Sequence, residues 1–189
     1  MEQDILKRIS ELGVLKQGHF LLTSGRHSDR FLLSSQLTVY PQETAWILGL
    51  LAQQVQQAQW QPSVVIGPAM GGVILAYELA KALGCRAMYA EKEGEGMALK
   101  RGFTLTAADK VLVVEDTIST GGSVQKVVDI VAQSPAELVG VAVLFDRTKG
   151  QVTFAGKPPL ALLQLEMVSW LPEDCPLCRQ GVPVVAPKS

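Results

Sequence analysis

Short, largely apolar runs alternate with helical patterns along this chain from residue 63 onward. The runs are SVVI, RAMYA, VLVVE, LVGVAVLF and PLALLQL. Runs this short and this apolar are typical of strands buried on both faces of a sheet. After VLVVE, a stripe of Val124, Val127, Val128 and Val131 has the spacing of one helix face. Alternating strands and helices predict an α/β fold, with a parallel sheet covered by helices on both faces.

The chain before residue 63 predicts smaller elements. Ile5, Ile9 and Leu12 have helical spacing and predict a short amphipathic helix. The segment QGHFLLTSGRHSDRFLLSSQL alternates apolar runs with turn residues, which predicts a strand, a turn and a second strand. A longer helix is predicted after Pro41, and its glutamine-rich end QQVQQAQWQ is interpreted as the solvated face and the exit of that helix.

Glycine and proline mark the remaining boundaries. The helix after SVVI is predicted to end near Leu83, because Gly84 favours a left-handed C-terminal cap. The segment EKEGEGMALKRGF, with three glycines and alternating charges, predicts a mobile loop. The proline-rich tail after Trp170 is predicted to be irregular.

The composition narrows the classes of function. The 189 residues are 48% hydrophobic and 19% charged, with a formal net charge of −1. This balance gives no general attraction to nucleic acid or to an anionic membrane, and we expect neither as a partner. No window has about 18 uninterrupted apolar residues, and MEQDILKRISELGVL lacks the apolar core of a signal peptide. We therefore expect a cytoplasmic protein.

Three cysteines, Cys85, Cys175 and Cys178, are too few for a disulfide framework. The CPLC stretch is a C-x-x-C motif and has the spacing of half a zinc site. A second ligand pair is expected to be missing, since the only histidines, His19 and His27, lie far upstream. We interpret the two thiols as part of a proline-rich turn, with a structural metal as the alternative. We interpret both histidines as structural, with a catalytic role as the alternative.

Three loops are predicted to meet where a ligand would bind. In open parallel sheets, ligands bind beyond the carboxyl ends of the strands. GPAMGG, EDTISTGG and the turn at Asp146-Arg147 all follow predicted strands. The stretch TISTGGS offers backbone N–H groups, hydroxyls and a helix that starts near Gly122, which together favour an anion. It is neither a Walker A loop nor a G-x-G-x-x-G loop, and the alternative is an ordinary capped turn.

Glu115 and Asp116 decide between those interpretations. A carboxylate repels phosphate, but it accepts hydrogen bonds from sugar hydroxyls and helps to hold a hydrated Mg²⁺. A loop that is acidic first and anion-binding second fits a ligand with a vicinal diol and a phosphate. Ribose 5-phosphate has this layout.

VLVVEDTISTGGS resembles the phosphoribosyl-pyrophosphate signature of the type I phosphoribosyltransferases. Residues 18 to 188 are similar to the orotate-specific members of that family. The similar stretches are GHFLLTSGRHSDRFL, GPAMGGVILAYELA, EKEGEGMALKRGF, LFDR and CPLCRQGVPVVAPKS. The resemblance implies a single domain: an α/β parallel-sheet core at about 42–165, covered by helices, with a small hood from about 1–41 and 166–189.

The resemblance also implies an activity. The enzyme would transfer the phosphoribosyl group of 5-phosphoribosyl 1-pyrophosphate to orotate, giving orotidine 5-phosphate and pyrophosphate in pyrimidine biosynthesis. It would use Mg²⁺, with no direct protein ligand to that ion, and would act as a homodimer. Two alternatives stay open, namely a transferase for another base and a non-catalytic regulator that senses phosphoribosyl pyrophosphate.

The resemblance assigns roles to individual residues. Those implied to bind phosphoribosyl pyrophosphate are Glu115 and Asp116 (ribose hydroxyls), Thr117, Ile118, Ser119, Thr120, Gly121, Gly122 and Ser123 (5-phosphate), and Gly71 and Gly72 (pyrophosphate). Those implied to contact orotate are Ser119, Arg147 and Phe31. The catalytic cations would be Lys92, Lys100 and Arg101, in the stretch from Glu91 to Gly102 that matches the family's flexible loop.

The chain departs from the best-known family pattern in two places. In the flexible loop, Glu91 precedes Lys92, and Glu95 and Met97 occupy later positions where that pattern has a lysine and a histidine. Thr23 stands where many relatives carry a lysine that contacts the base. We interpret Met97 and Trp170 as packing or lid residues.

Overall fold

The computed structural model describes residues 2–22 and 24–187, so the position of Thr23 lies outside the described residues. The chain divides into two compact units. The central unit is Pro41–Leu165, and the terminal unit combines Met1–Tyr40 with Glu166–Ser189. No helix in the described part of the chain is long and apolar enough to cross a bilayer.

Apart from a strand at Gly96–Leu99 and a short helix at Pro176–Arg179, which were not predicted, the helices and strands follow one another in the order that the sequence patterns predict. They are α1 (Glu2–Glu11), β1 (Leu15–Leu21), β2 (His27–Leu32), α2 (Pro41–Gln57), β3 (Val64–Pro68), α3 (Gly71–Leu83), β4 (Arg86–Glu93), β5 (Gly96–Leu99), β6 (Lys110–Ile118), α4 (Gly122–Ala132), β7 (Glu137–Asp146), β8 (Leu160–Gln164) and α5 (Pro176–Arg179). Two short 3₁₀ helices, Ser34–Val39 and Pro172–Asp174, complete them.

The central unit is a six-stranded sheet in the order β5-β4-β3-β6-β7-β8. Neighbouring strands are parallel except β5, which pairs antiparallel with β4. The predicted α/β fold with a parallel sheet and covering helices is confirmed. Burial of the side chains explains why the apolar runs predicted these strands. In β3, for example, Val64, Val65 and Ile66 are all fully buried, as a strand covered on both faces requires.

Helix α4 places its predicted stripe against this sheet. Val124, Val127, Val128 and Val131 are all buried in one cluster with strand residues of β3, β6 and β7. Helix α3 ends at Leu83, as predicted, because Gly84 adopts a left-handed conformation (φ 71°) and its N–H bonds back to the last turn.

The stretch EKEGEGMALKRGF, predicted to be a mobile loop, is mostly strand, so the prediction of a loop is wrong there. Glu91 to Glu93 continue β4, and Gly96–Leu99 form β5, with Lys92 opposite Met97. Met97 and Leu99 pack against the central core cluster, which holds the hairpin on the sheet. Met97 is therefore a packing residue.

The terminal unit is built from both ends of the chain. Ile5 and Ile9 are the buried positions of α1, and β1 pairs antiparallel with β2. The C-terminal segment returns to this hairpin: His27 and Trp170 exchange two backbone hydrogen bonds, each 2.8 Å long. The Val185 N–H also donates to the His19 carbonyl, at 2.8 Å. This pairing gives Trp170 a structural position and orders part of a tail that was predicted to be irregular.

Candidate active site

The three predicted ligand loops lie at one edge of the sheet. Strands β3, β6 and β7 are adjacent and parallel, and they end at Pro68, Ile118 and Asp146. Their carboxyl ends therefore face the same side, which is where ligands bind in this architecture. The segments that follow them are AMGG, STGGS and the turn at Arg147.

Strand β6 extends further into the motif than its apolar run indicates. Glu115, Asp116, Thr117 and Ile118 continue the strand, with Glu115 opposite Val143 and Ile118 opposite Asp146 on β7. The two acids are thus fixed by strand pairing. The Ile118 side chain lies in the core, so only its backbone is left to contact a ligand.

The loop after β6 forms a small cradle at the N-terminus of α4. Gly121 has φ 79°, and a Cβ atom there would lie 2.9 Å from both Phe154 and Val152, so the turn requires glycine. Glu115, Thr117 and residues 119–124 line a cavity of about 60 Å³. This is room for a few water molecules, the scale of a phosphate group.

Two features of the cradle favour an anion. The first N–H groups of a helix have no partner within the helix, so the start of α4 at Gly122 presents donors to the cavity. The Thr117 Oγ1 atom is buried and has no hydrogen-bond partner among residues 2–22 and 24–187. A buried hydroxyl is normally hydrogen-bonded, so this one indicates a ligand contact.

The acidic pair has unusual electrostatics. The Glu115 side chain is only 8% exposed, and burial raises its pKa to about 8, with the neighbouring Asp116 charge as a second cause. The Asp116 N–H donates to Glu115 Oε1 at 3.1 Å, which opposes part of this rise. At neutral pH, Glu115 is therefore mostly protonated in the ligand-free protein. It is able to donate a hydrogen bond to a hydroxyl as well as to accept one.

The β3–α3 loop approaches this pair. A Cβ atom on Gly71 would lie 3.6 Å from Asp116 Oδ2, so the carboxylate faces the start of α3. Gly72 has a packing reason of its own, because a Cβ there would lie 2.9 Å from the Cα of Gly67. The glycine at 72 is therefore required by the close approach of α3 to β3 before any ligand is considered.

A buried aspartate shapes the turn that carries Arg147. The Asp146 carboxylate accepts hydrogen bonds from the Thr148 N–H and hydroxyl, both at 2.7 Å, and from the Gly150 N–H at 3.0 Å. Asp146 is 1% exposed, so these bonds fix the turn firmly. The sequence marked Asp146 only as the end of a strand. The hydroxyl two residues later and the glycine four residues later are the signal of this turn.

The backbone of Arg147 is fixed, while its guanidinium keeps an N–H group available to bind an anion. Its N–H donates to the Ile118 carbonyl at 2.9 Å, which joins this turn to the end of β6. Its Nε atom is buried and has no hydrogen-bond partner within the described part of the chain. Burial also lowers the pKa of the guanidinium, which indicates a cation partly removed from water. A negatively charged ligand group would accept a hydrogen bond from Nε and would stabilise the charge of the guanidinium.

The predicted catalytic cations lie on the β4–β5 hairpin and the turn after it. Lys92 and Arg101 line a cavity of about 580 Å³ together with Ala69 and Met70 of the β3–α3 loop. Arg101 Nε lies 2.6 Å from Glu91 Oε1. The structure thus brings two of the three cations to a cavity beside the predicted pyrophosphate loop.

Lys100 has a different environment from these two. Its Nζ lies 3.5 Å from Glu93 Oε1, and it donates to the Lys92 carbonyl at 3.3 Å. Acids of the same hairpin therefore hold two of the cations in this conformation.

Phe31, predicted to line the base pocket, belongs to β2 of the terminal unit. Its ring centroid lies 5.7 Å from that of Phe20, so it has a packing partner within its own unit. Its contact with orotate stays a prediction.

The expectation that CPLC has no second ligand pair is wrong. His19, His27, Cys175 and Cys178 place one nitrogen or sulfur atom each within 4.8 Å of the others. The long sequence separation concealed this, because the C-terminal segment pairs with the hairpin that carries both histidines.

Comparisons with known proteins identify the family to which this fold belongs. The family profile described as "Phosphoribosyl transferase domain" matches residues 34–153. The chain is 46% identical over 186 residues to the orotate phosphoribosyltransferase of Carboxydothermus hydrogenoformans, covering 98% of this chain and 97% of that protein. It is 43% identical over 190 residues to that of Heliobacterium modesticaldum, covering 100% and 99%.

Solved structures give the same result. The orotate phosphoribosyltransferase of Aeropyrum pernix superposes with a TM-score of 0.73 at 25% identity, covering 86% of this chain and 94% of that one. The enzyme of Mycobacterium tuberculosis H37Rv, in complex with inorganic phosphate, gives a TM-score of 0.70 at 27% identity, covering 87% and 95%.

Proposed function

The chain belongs to the phosphoribosyltransferase family and, within it, to the orotate phosphoribosyltransferases, and we propose that it catalyses their reaction. A ring nitrogen of orotate attacks the anomeric carbon of 5-phosphoribosyl 1-pyrophosphate, pyrophosphate leaves with the electron pair of the broken C–O bond, and the proton of the attacking nitrogen is released to solvent. The product is orotidine 5-phosphate, a precursor in pyrimidine biosynthesis. The observation that carries the proposal is the buried acid pair of β6, which leads directly into the anion cradle at the start of α4.

The acid pair and the cradle bind the two ends of the sugar phosphate. Asp116 and Glu115 hold the ribose hydroxyls, and residues 117–123 hold the 5-phosphate. The backbone N–H groups of the cradle supply the donors, and the Thr117 hydroxyl, which has no partner elsewhere in the described residues, adds one more.

Orotate is an anion, and Arg147 suits it. A half-buried guanidinium with an unused Nε donor in the described structure offers directed hydrogen bonds to a carboxylate. Ser119 adds a hydroxyl from the loop at the neighbouring strand end. Phe31 would add an aromatic surface for the base.

Mg²⁺ fits the donors that surround the cradle. Glu115 and Asp116 supply carboxylate oxygens, and a hydrated Mg²⁺ is normally held through waters and substrate phosphates with few protein ligands. When bound, the ion would neutralise charge on the pyrophosphate. The chain's own part is to hold the ribose, to orient orotate and to place cations at the leaving group.

Lys92, Lys100 and Arg101 are the cations that stabilise the departing pyrophosphate. Two of them are paired with Glu93 and Glu91 in the ligand-free hairpin. Exposed pairs of this kind are worth only about 0–1 kcal/mol, so a pyrophosphate group would replace them readily. Movement of the hairpin toward the ligand would also exclude water, which competes with orotate as a nucleophile.

The test is an assay in which orotate absorbance falls only when Mg²⁺ and phosphoribosyl pyrophosphate are both present. Adenine, hypoxanthine and uracil are then tried in place of orotate, and release of pyrophosphate is measured for each base. We expect turnover with orotate and with none of the other three bases. Turnover with another base would favour a different transferase, and tight binding of phosphoribosyl pyrophosphate without turnover on any base would favour a regulator. Arg147→Ala should raise the KM for orotate, whereas the exposed Arg8→Ala serves as the matched control.

The proposed assembly is a homodimer through α3. Met70, Ile74 and Tyr77 lie at helical spacing and are 84%, 47% and 64% exposed, which makes an apolar face beside the cavity of Lys92 and Arg101. Light scattering should give twice the chain mass for the wild type and the chain mass for Ile74→Asp/Tyr77→Asp. Val39→Asp, at another exposed apolar position, should stay dimeric. A cytoplasmic location is part of the proposal and is testable by cell fractionation.

A further inference from the structure

Four ligating side chains converge in the terminal unit. His19 Nε2 lies 2.9 Å from His27 Nδ1, 3.4 Å from Cys175 Sγ and 3.8 Å from Cys178 Sγ. Cys178 Sγ lies 3.3 Å from His27 Nδ1. All four ligating atoms are within 4.8 Å of one another.

These distances match the edges of a tetrahedron around a zinc ion. With Zn–N of about 2.05 Å and Zn–S of about 2.3 Å, the ligand atoms would be separated by about 3.3 Å for N···N, about 3.6 Å for N···S and about 3.8 Å for S···S. The N···N separation and the three N···S separations given above differ from these values by less than about 0.5 Å, and the remaining two pairs lie within 4.8 Å. Small side-chain adjustments would suffice to coordinate an ion.

The tautomer of His19 leaves the correct nitrogen free for a metal. Its Nδ1 lies 2.7 Å from the Val182 carbonyl oxygen, which only accepts hydrogen bonds. Nδ1 must therefore carry the proton, and the lone pair of Nε2 points at the two thiols. A backbone carbonyl that fixes a histidine in this way is a regular feature of zinc sites.

The backbone brings the two ligand pairs together independently of their side chains. The His19 carbonyl accepts from the Val185 N–H, and His27 exchanges two hydrogen bonds with Trp170. Cys175 is the residue before α5 and Cys178 lies within it, and both are between these two points of attachment in the chain. The ligands are thus pre-positioned by pairing on both sides of the cluster.

We propose that His19, His27, Cys175 and Cys178 bind a structural Zn²⁺ that ties the C-terminal segment to the β1–β2 hairpin. Two thiolates and two neutral imidazoles are a donor set that zinc prefers, and they would balance the charge of the ion. Four protein ligands leave no open position, so the site is structural and takes no substrate. The terminal unit is small, and units with small cores are commonly stabilised by a metal.

The competing explanation is a hydrogen-bonded cluster without metal. In that case His27 Nδ1–H would donate to His19 Nε2, and both thiols would stay protonated. The two explanations differ in metal content, in the state of the thiols and in the effect of a chelator.

The experiment measures zinc in protein purified under reducing conditions, by mass spectrometry of the metal. We expect about one zinc per chain in the wild type and less than about a tenth of that in Cys175→Ser and in Cys178→Ser. Cys85→Ser, which removes the remaining cysteine in the central unit, should keep the zinc. Cys178→His should also keep it, since it restores a ligand, and this variant separates loss of metal from failure to fold.

A second measurement uses only the wild-type chain. Removing zinc with a strong chelator should increase proteolytic cleavage near residues 166–187 and lower Tm, and adding Zn²⁺ back should reverse both. Co²⁺ in its place should give the intense visible absorption of a tetrahedral thiolate site. Wild-type protein that binds neither Zn²⁺ nor Co²⁺ when reduced, or Cys175→Ser and Cys178→Ser variants that retain full zinc, would overturn the proposal.

Discussion

Replacing Glu115 with glutamine is predicted to stabilise the ligand-free protein at alkaline pH. The carboxyl is 8% exposed, lies beside Asp116, and has a pKa raised from 4.5 to about 8. Glutamine has nearly the same shape and cannot ionise, so it keeps the packing and removes the buried charge. The strand pairing with β7 at Val143 does not involve the side chain and should persist.

The direction of the pH dependence of stability follows from the number of protons bound by each state. Between about pH 4.5 and pH 8, the native state keeps a proton that the unfolded state has released, so the free energy of unfolding falls as pH rises. A pKa difference of about 3.5 units corresponds to about 5 kcal/mol, which is the ceiling for a fully rigid site. Water entry and relaxation of the two acids reduce this figure. We therefore expect the free energy of unfolding of the wild type to fall by roughly 2–3 kcal/mol over this pH range.

The assay is urea unfolding at pH 5 and at pH 8, followed by tryptophan fluorescence. The difference between the two pH values should be smaller in Glu115→Gln than in the wild type by roughly 2–3 kcal/mol. Glu137→Gln, at the exposed start of the neighbouring strand β7, is the matched control and should follow the wild type. Parallel pH profiles for wild type and Glu115→Gln would refute the reasoning.

The same group connects stability to substrate binding. If Mg²⁺ and phosphoribosyl pyrophosphate require the ionised carboxylate, binding at pH 7 should release up to about 0.9 proton, since a pKa of about 8 leaves most of the group protonated. Calorimetry in two buffers of different ionisation enthalpy measures this number. Glu115→Gln should release close to none. Equal release in both proteins would show that the proton comes from another group.

Three further predictions concern the cradle and the hairpin. Gly121→Ala should lower the free energy of unfolding by roughly 1–3 kcal/mol and weaken phosphate binding, because the new methyl meets two side chains at 2.9 Å on a left-handed backbone; wild-type values in thermal denaturation and phosphate titration would contradict this. Asp116→Asn should weaken binding of phosphoribosyl pyrophosphate more than binding of inorganic phosphate in calorimetry, and equal losses would count against separate sugar and phosphate contacts. Lys100→Ala/Arg101→Ala should lower kcat by roughly 10²- to 10³-fold, and wild-type turnover would remove these cations from the mechanism.

The existence of the strands was predictable because a strand buried on both faces is a continuous run of apolar residues. Strand ends were not, since pairing continues past the last apolar residue. Glu115 to Ile118 stay in register with β7 although their side chains no longer resemble a buried strand. In β5 the glycines of the segment hid a weaker signal, the alternation of Met97 and Leu99, which face the core.

The site was predictable where its chemistry lies within one continuous stretch. The order of acids, hydroxyls and glycines after VLVVE is enough to suggest adjacent subsites for a diol and a phosphate. Roles that depend on a neighbouring element were missed. Gly72 is required by its distance to Gly67, and Asp146 acts by accepting hydrogen bonds from the turn that presents Arg147. Neither distance is encoded in a motif.

The cluster of His19, His27, Cys175 and Cys178 was also not predictable from local motifs. The spacing rules for zinc sites search within one stretch, whereas Cys175 and His19 are 156 residues apart and Cys178 and His27 are 151 apart. What joins them is the backbone pairing of the C-terminal segment with the first hairpin, which no local pattern specifies. A C-x-x-C near one end of a chain should therefore be compared with histidine pairs near the other end. The two histidines here are eight residues apart on antiparallel strands, and both side chains contact cysteines of the returning segment.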